Sequence, residues 1–394
     1  MILRIMFLFF SALFASLTLE AQVFHDQDFR LQAEKGLAFT YNLEFTQADR
    51  VFTEMKTRYK EYPGPDFLLA INRWWQSYIS TTDQYHSYIE ARLKSAIKLN
   101  EKLKERENYN LEYAFFQYMS FAFLTRLYIL RKEWVKAANT GRKALPYLSN
   151  GLTFAEESPE FYFSSGIYHY YAEVYPREHY YVRPFTIFFP SGDAERGLEE
   201  LEFASSIPNF TRTESLYYLG DIYLEEEANY PKALIIKRKL FEEYPNNTWF
   251  RADYARALVY AGRESQAKPV LLDMIRSFEK IKKHETRQVT SSESLYTTLI
   301  MMRVYNYMGK VAYHSDQDYQ MASRYFQLSM KMGELAGVEM DPHLAINQYF
   351  LGRTYDQLGD PEKAEDAYRK ALDMDENREV KALAEACLKR DCSN

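Results

Sequence analysis

Cysteine is almost absent from the chain: Cys387 and Cys392 are the only two in 394 residues. Two thiols five apart at one end make neither a multi-bridge scaffold nor a structural zinc site. They can join each other only if the helix carrying them stops near Leu388, because on a continuous helix they face different sides. Glycine is also scarce, with 14 residues. No Walker-type or dinucleotide glycine loop occurs, "FSSGIY" is not a nucleophile elbow, and H-E-x-x-H is missing. An excess of basic residues is lacking too, since the net charge is −6. Nucleic acid is therefore a poor partner, because its binding rests on cations set against phosphate.

Apolar runs are short everywhere except at the start, where "MILRIMFLFFSALFASLTLEA" joins Arg4 to an apolar stretch from Ile5 to Leu19 and a small Ala21. That pattern predicts a secretory signal over residues 1–21, cleaved after Ala21, and an exported, periplasmic or extracellular chain with no transmembrane span in its mature part. An uncleaved anchor is the rival reading, the run being just short of a bilayer's thickness. Its loss removes one basic and one acidic residue, so the charge balance is unchanged.

What is abundant is helical periodicity, with apolar residues recurring at helical spacing nearly everywhere after residue 30. The chain reads as all-α and is longer than one compact core usually holds. The stretch "AINQYFLGRTYDQLGDPEKAEDAYRKALDMDEN" places Leu351-Gly352 before Tyr355, then Gly359, Ala364, Tyr368 and Ala371. This closely resembles the tetratricopeptide repeat, W-x2-L-G-x2-Y followed by A-x3-F, with Gln348 and Glu376 departing from the usual tryptophan and proline. Gly352 suits close packing of helix A on helix B, Gly359 a left-handed stop, Asp360 a cap and Pro361 a first turn. Leu219-Gly220, Tyr223 and Ala233 repeat the pattern with one residue inserted in the turn, and Ala255, Leu258, Gly262 and Ala267 follow. Weaker copies use Gly309 and Ala322, Tyr128, Ala137 and Ala144, and Ala48 and Phe52; residues 67–103 keep the rhythm alone.

The resemblance implies a right-handed α-solenoid of about seven helix pairs. The expected divisions are divergent repeats over 22–150, a repeat with an inserted loop over 151–210, clear repeats over 211–378, and a capping helix and tail over 379–394. The insertion follows from register. Gly352 and Gly359 are 7 apart, whereas Gly166 and Gly192 are 26 apart, leaving 19 extra residues at about 174–191. Prolines 176, 184 and 190 forbid one long helix there. Its His179, Tyr180, Tyr181, Phe185 and Phe188 are either a plug packed on a neighbouring repeat or ligand contacts.

In such solenoids helix A lines the concave face, and fixed offsets from the packing residue give the exposed side chains. These offsets predict a protein- or peptide-binding groove of Tyr170, Tyr171, Tyr217, Asp221, Glu225, Arg256, Tyr260, Lys310, Tyr313, His314, Tyr349 and Arg353. Tyrosine suits such a surface, giving wide contact and a hydroxyl at low entropic cost. Family members that grip a carboxylate tail carry Lys then Asn on one helix; here Asn306 precedes Lys310, which argues against that class. The expectation is a non-catalytic adaptor in the cell envelope, without cofactor or metal. A periplasmic receptor for a small ligand such as a glycan is the alternative. An enzyme would have only His169, Glu173 and His179 to work with.

Overall fold

A computed structural model describes residues 26–104, 110–151, 159–178, 183, 190–284, 291–338, 342–374, 378–389 and 392. The expected signal segment lies outside them. The described residues form seventeen α-helices and no strand, arranged as eight successive hairpins and a final helix rather than about seven pairs. The chain divides into two units. The first holds α1 (Gln27–Tyr41), α2 (Phe45–Arg58), α3 (Gly64–Ile79), α4 (His86–Leu103), α5 (Asn110–Leu130), α6 (Trp134–Gly151), α7 (Glu160–Glu178), α8 (Ala194–Ser206) and α9 (Arg212–Asp221) as far as Leu219. The second, which also takes residues 79–82, holds the rest of α9, then α10 (Tyr230–Glu243), α11 (Thr248–Tyr260) and α12 (Glu264–His284). It continues through α13 (Ser291–His314), α14 (Tyr319–Ala336), α15 (Pro342–Gln357), α16 (Pro361–Met374) and α17 (Arg378–Leu388). Among the described residues no helix is long and apolar enough to cross a membrane.

One local device ends most helix A segments. Leu43, Thr81, Lys132, Ala228, Gly262, Gln317 and Gly359 all take positive φ at the A-to-B turn. At four of these turns the N–H directly after the left-handed residue reaches back five residues to a carbonyl: Glu44 to Phe39, Glu133 to Tyr128, Arg263 to Leu258 and Asp360 to Tyr355. This is the Schellman closure, which satisfies carbonyls that the helix end leaves open. The next helix is then capped by a short polar side chain. Asp318 accepts from the Met321 N–H and Asp360 from the Lys363 N–H, at 2.9 and 3.2 Å. The extra residue expected in the turn after Gly220 sits instead inside the helix, as a π turn over Ile222–Glu226.

The fourth hairpin, α7–α8, shows no left-handed turn among its described residues, and the expected insertion falls between its two helices. Helix α7 runs two residues past Pro176, so the departure from helix begins later than the register predicted. Gly166 and Gly197 bring the two backbones together: a Cβ on Gly197 would lie 2.6 Å from the Tyr170 nitrogen and 2.8 Å from the Gly166 oxygen. His179, Tyr180, Tyr181, Phe185 and Phe188 lie outside the described residues.

The first unit is packed by aromatic edges. Phe67 meets Phe115, Phe116 and Phe123, and Trp74 meets Phe123. A cavity of about 40 Å³ remains among Phe29, Phe67, Phe115, Phe116 and Phe210, with Glu214 on its wall, enough for a water or two and too small for a sugar. Glu214 is buried, accepts a hydrogen bond from the Tyr41 hydroxyl, and leaves Oε2 unpartnered. Burial pushes its carboxyl up to about 7, against the pull of Tyr41. The folded state therefore holds a proton that the unfolded chain releases near pH 4.5, and stability should fall as pH rises from about 4.5 through about 7. Urea titrations across that window should show a loss of roughly 3 kcal/mol, and Glu214→Gln should flatten it. An unchanged slope in the variant would assign the pH dependence to another group.

Candidate ligand-facing helix surfaces

Each unit presents its own helix A side chains. In the first, Tyr170 has no exposed surface and Tyr217 is buried. Tyr217 stands edge-on to Trp75, with centroids 5.1 Å apart, and its hydroxyl lies 3.2 Å from that of Tyr78. The Arg126 guanidinium covers Trp74, Tyr78 and Tyr218 at 5.1–5.4 Å. These aromatics are spent on one another, whereas Tyr171, edge-on to Tyr170, is half-buried. Helix offsets alone gave Tyr170 and Tyr217 to a groove; the adjoining aromatic helices enclose them.

His169 and Glu173 have structural duties. The His169 carbonyl accepts the Asp193 N–H at 3.0 Å, and Glu173 Oε2 accepts the Ala194 N–H at 2.6 Å. Its other oxygen pairs with Arg177. Glu173 thus caps the start of α8, and among the described residues no cluster of three metal-ligating side chains occurs.

The second unit is organised by charge. Lys237, on the second helix of its hairpin, is 1% exposed and bonds Asp221 Oδ1 at 2.5 Å and Asp253 Oδ2 at 3.3 Å. Burial opposes its charge, but the two carboxylates more than offset this and raise its pKa. Burial pushes Asp221 up to about 6 despite Lys237. Asp221, assigned to a groove by its position, is thereby committed to an internal ion cluster.

Beyond that cluster come cations and rings. Arg256 Nη1 pairs with Glu225 Oε1 at 2.7 Å. The Lys310 ammonium lies 3.4 Å from the Tyr260 hydroxyl, 4.8 Å from the Tyr260 ring and 5.1 Å from the Phe350 ring. Arg353 Nη1 donates to the Tyr349 hydroxyl at 3.0 Å. Tyr313 and His314 stand edge-on to each other and to Phe350. Burial pushes Tyr260 up, yet Lys310 and Arg256 outweigh it, leaving the phenol below its ordinary value. Burial, only partly opposed by Tyr260, lowers Lys310.

The structure therefore brings Glu225, Arg256, Tyr260, Lys310, Tyr313, His314, Tyr349 and Arg353 into one unit, with Arg256, Lys310 and Tyr349 largely covered. It adds Lys237, Arg303, His343 and Phe350, which the offsets missed. Arg303 had a signal, for it lies seven residues before Lys310 on α13 and hence on the same side. Asn306 donates to Asn347 Oδ1 inside the core, so it is not free to grip a carboxylate tail.

Residues 300–377 match the family model of the tetratricopeptide repeat. No curated protein matches the chain. Among solved structures, human IFIT1, seen as a dimer with PPP-AAAA, is similar at TM-score 0.46 and 13% identity, over 87% of this chain and 72% of that one. NprR in complex with its cognate peptide NprX is similar at TM-score 0.37 and 13% identity, over 92% and 83%. The C-terminal part of a TPR repeat-containing protein from Cytophaga hutchinsonii gives 0.28 and 15%, over 89% and 98%. Likenesses this distant say nothing of what this chain binds. The matched segment spans most of α13 and all of α14–α16, and the same hairpin with the same left-handed stop recurs through both units. The chain carries tetratricopeptide repeats over residues 300–377, within an all-α succession of helical hairpins.

Proposed function

We propose that the protein is a non-catalytic adaptor that holds a peptide or a segment of a partner protein on the helix A face of its second unit. The observation that carries this reading is the run of half-buried or exposed Tyr260, Tyr313, His314 and Arg353 along successive A helices, with Lys310 beneath them. Such side chains combine broad apolar contact with hydrogen-bonding tips, the composition of binding hot spots. The leading sequence supports an exported, envelope-located adaptor whose signal is removed near Ala21.

Crosslinking with mass spectrometry on intact envelopes tests the reading. Crosslinks to a partner should concentrate on α11, α13 and α15, and Tyr260→Ala with Tyr313→Ala should cost about tenfold or more in affinity, as hot-spot tyrosines do. Crosslinks distributed evenly over the second helices of the hairpins would sink it. For export, the purified mature chain should begin at Gln22.

A further inference from the structure

We propose that the helix A face of the second unit is built for an acidic peptide segment, with one peptide carboxylate seated beside Lys310 between Arg256 and Arg353. This rests on the binding surface proposed above and specifies its ligand.

The first support is register. Arg256, Lys310 and Arg353 each directly follow the packing residue of their helix, which is Ala255, Gly309 and Gly352 respectively. Three successive A helices thus place a cation at the same step. The second is the shortage of answering charge. Among the described residues, Lys310 has no carboxylate within ion-pairing distance, although it is only 6% exposed; its neighbours are the Tyr260 phenol and the Phe350 ring. Arg303 stacks on Trp249 at 4.1 Å, and Arg353 donates to the Tyr349 hydroxyl with no ion pair among the described residues. Asp221 and Asp253 are committed to Lys237, Glu225 to Arg256, and Asp356 accepts the Tyr368 hydroxyl. A covered cation without an anion is costly, and an incoming carboxylate relieves that cost. The third support is the reach of the positive field. Arg303, Arg256 and Lys310 all help burial hold the His343 imidazole well below its ordinary range.

A peptide fits this pattern better than a lone anion. Neighbouring A helices packed about 10 Å apart match roughly three residues of extended chain. Acidic residues at that interval would meet the three cations in turn, and apolar residues between them would meet Tyr260, Tyr313 and Phe350.

The test is selection of a random peptide library on the immobilised full chain, read by sequencing. Recovered peptides should be enriched in Asp and Glu at about three-residue intervals, and a synthetic one should bind less tightly as salt is raised. Lys310→Met with Arg353→Gln should weaken it by about tenfold or more, while far-UV circular dichroism stays as in the parent chain. Arg353→Gln alone, at a half-buried site, should weaken it measurably and guards against a misfolded double variant. Peptides recovered without acidic enrichment, or binding untouched by both variants, would overturn the acidic ligand and leave the binding surface standing. Failure to select any peptide would overturn both.

Discussion

Replacing Lys237 by methionine should cost the second unit about 3–5 kcal/mol of stability, the usual penalty for stripping one partner from a buried ion cluster. The ammonium is all but sealed from water between Asp221 and Asp253, so the variant keeps two neighbouring carboxylates with nothing between them. Asp221, already pushed up by burial, would lose the Lys237 charge that pulls it down and would favour the protonated state further. The deficit should therefore be largest at neutral pH and shrink as pH falls through about 6 toward 4, because the folded variant then takes up protons that the unfolded chain does not yet hold. Denaturant unfolding of the single variant at several pH values checks this. A triple variant with Asp221→Asn and Asp253→Asn should recover much of the loss. If the deficit is the same at every pH, packing of the four-carbon stem against Gly220 is its cause, and the electrostatic account falls.

Gly197→Ala should damage the first unit severely for a single methyl, with a loss of about 1–3 kcal/mol. The added carbon meets backbone atoms of α7, which no side-chain rotation can clear. The helices α7 and α8 must part, and the Tyr170 side chain packed beside the crossing goes with them. Gly262→Ala is the instructive companion. Nothing lies within 4 Å of its Cβ position, but its φ is +66°, so its cost is conformational and should be about 1 kcal/mol. Thermal melts of the two variants separate the mechanisms. A melt for Gly197→Ala that matches the parent chain would mean that the crossing is looser than drawn.

The C-terminal hairpin was readable residue by residue, because Gly352, Gly359, Asp360 and Pro361 each have one physical use, and the structure gives Gly359 a φ of +73° and Asp360 a capping bond. Earlier turns were harder to read. Leu43, Lys132 and Gln317 take the same left-handed step without being glycine, the strain being offset by turn hydrogen bonds and packing, so a search for glycine passes over them. The site was legible in part. Helical offsets placed Arg256, Lys310 and Arg353 at one step of successive A helices, and the structure keeps all three in the second unit. They also assigned Tyr170 and Tyr217 to a surface, since an offset specifies a direction from the helix axis and not what stands in that direction. Lys237 was invisible, because a lysine on a second helix ordinarily faces water.

The end of α17 at Leu388 lets Cys387 and Cys392 join, as the spacing required, while Val380, Ala384 and Cys387 pack on Tyr349 and Tyr368 of the last hairpin. A ring closed over so few residues restricts the unfolded chain only modestly. Its greater use is as a chemical record. Thiols stay reduced where glutathione and thioredoxin act and oxidise where they do not, so alkylating the protein inside living cells and weighing its C-terminal peptide would report which compartment the chain had reached.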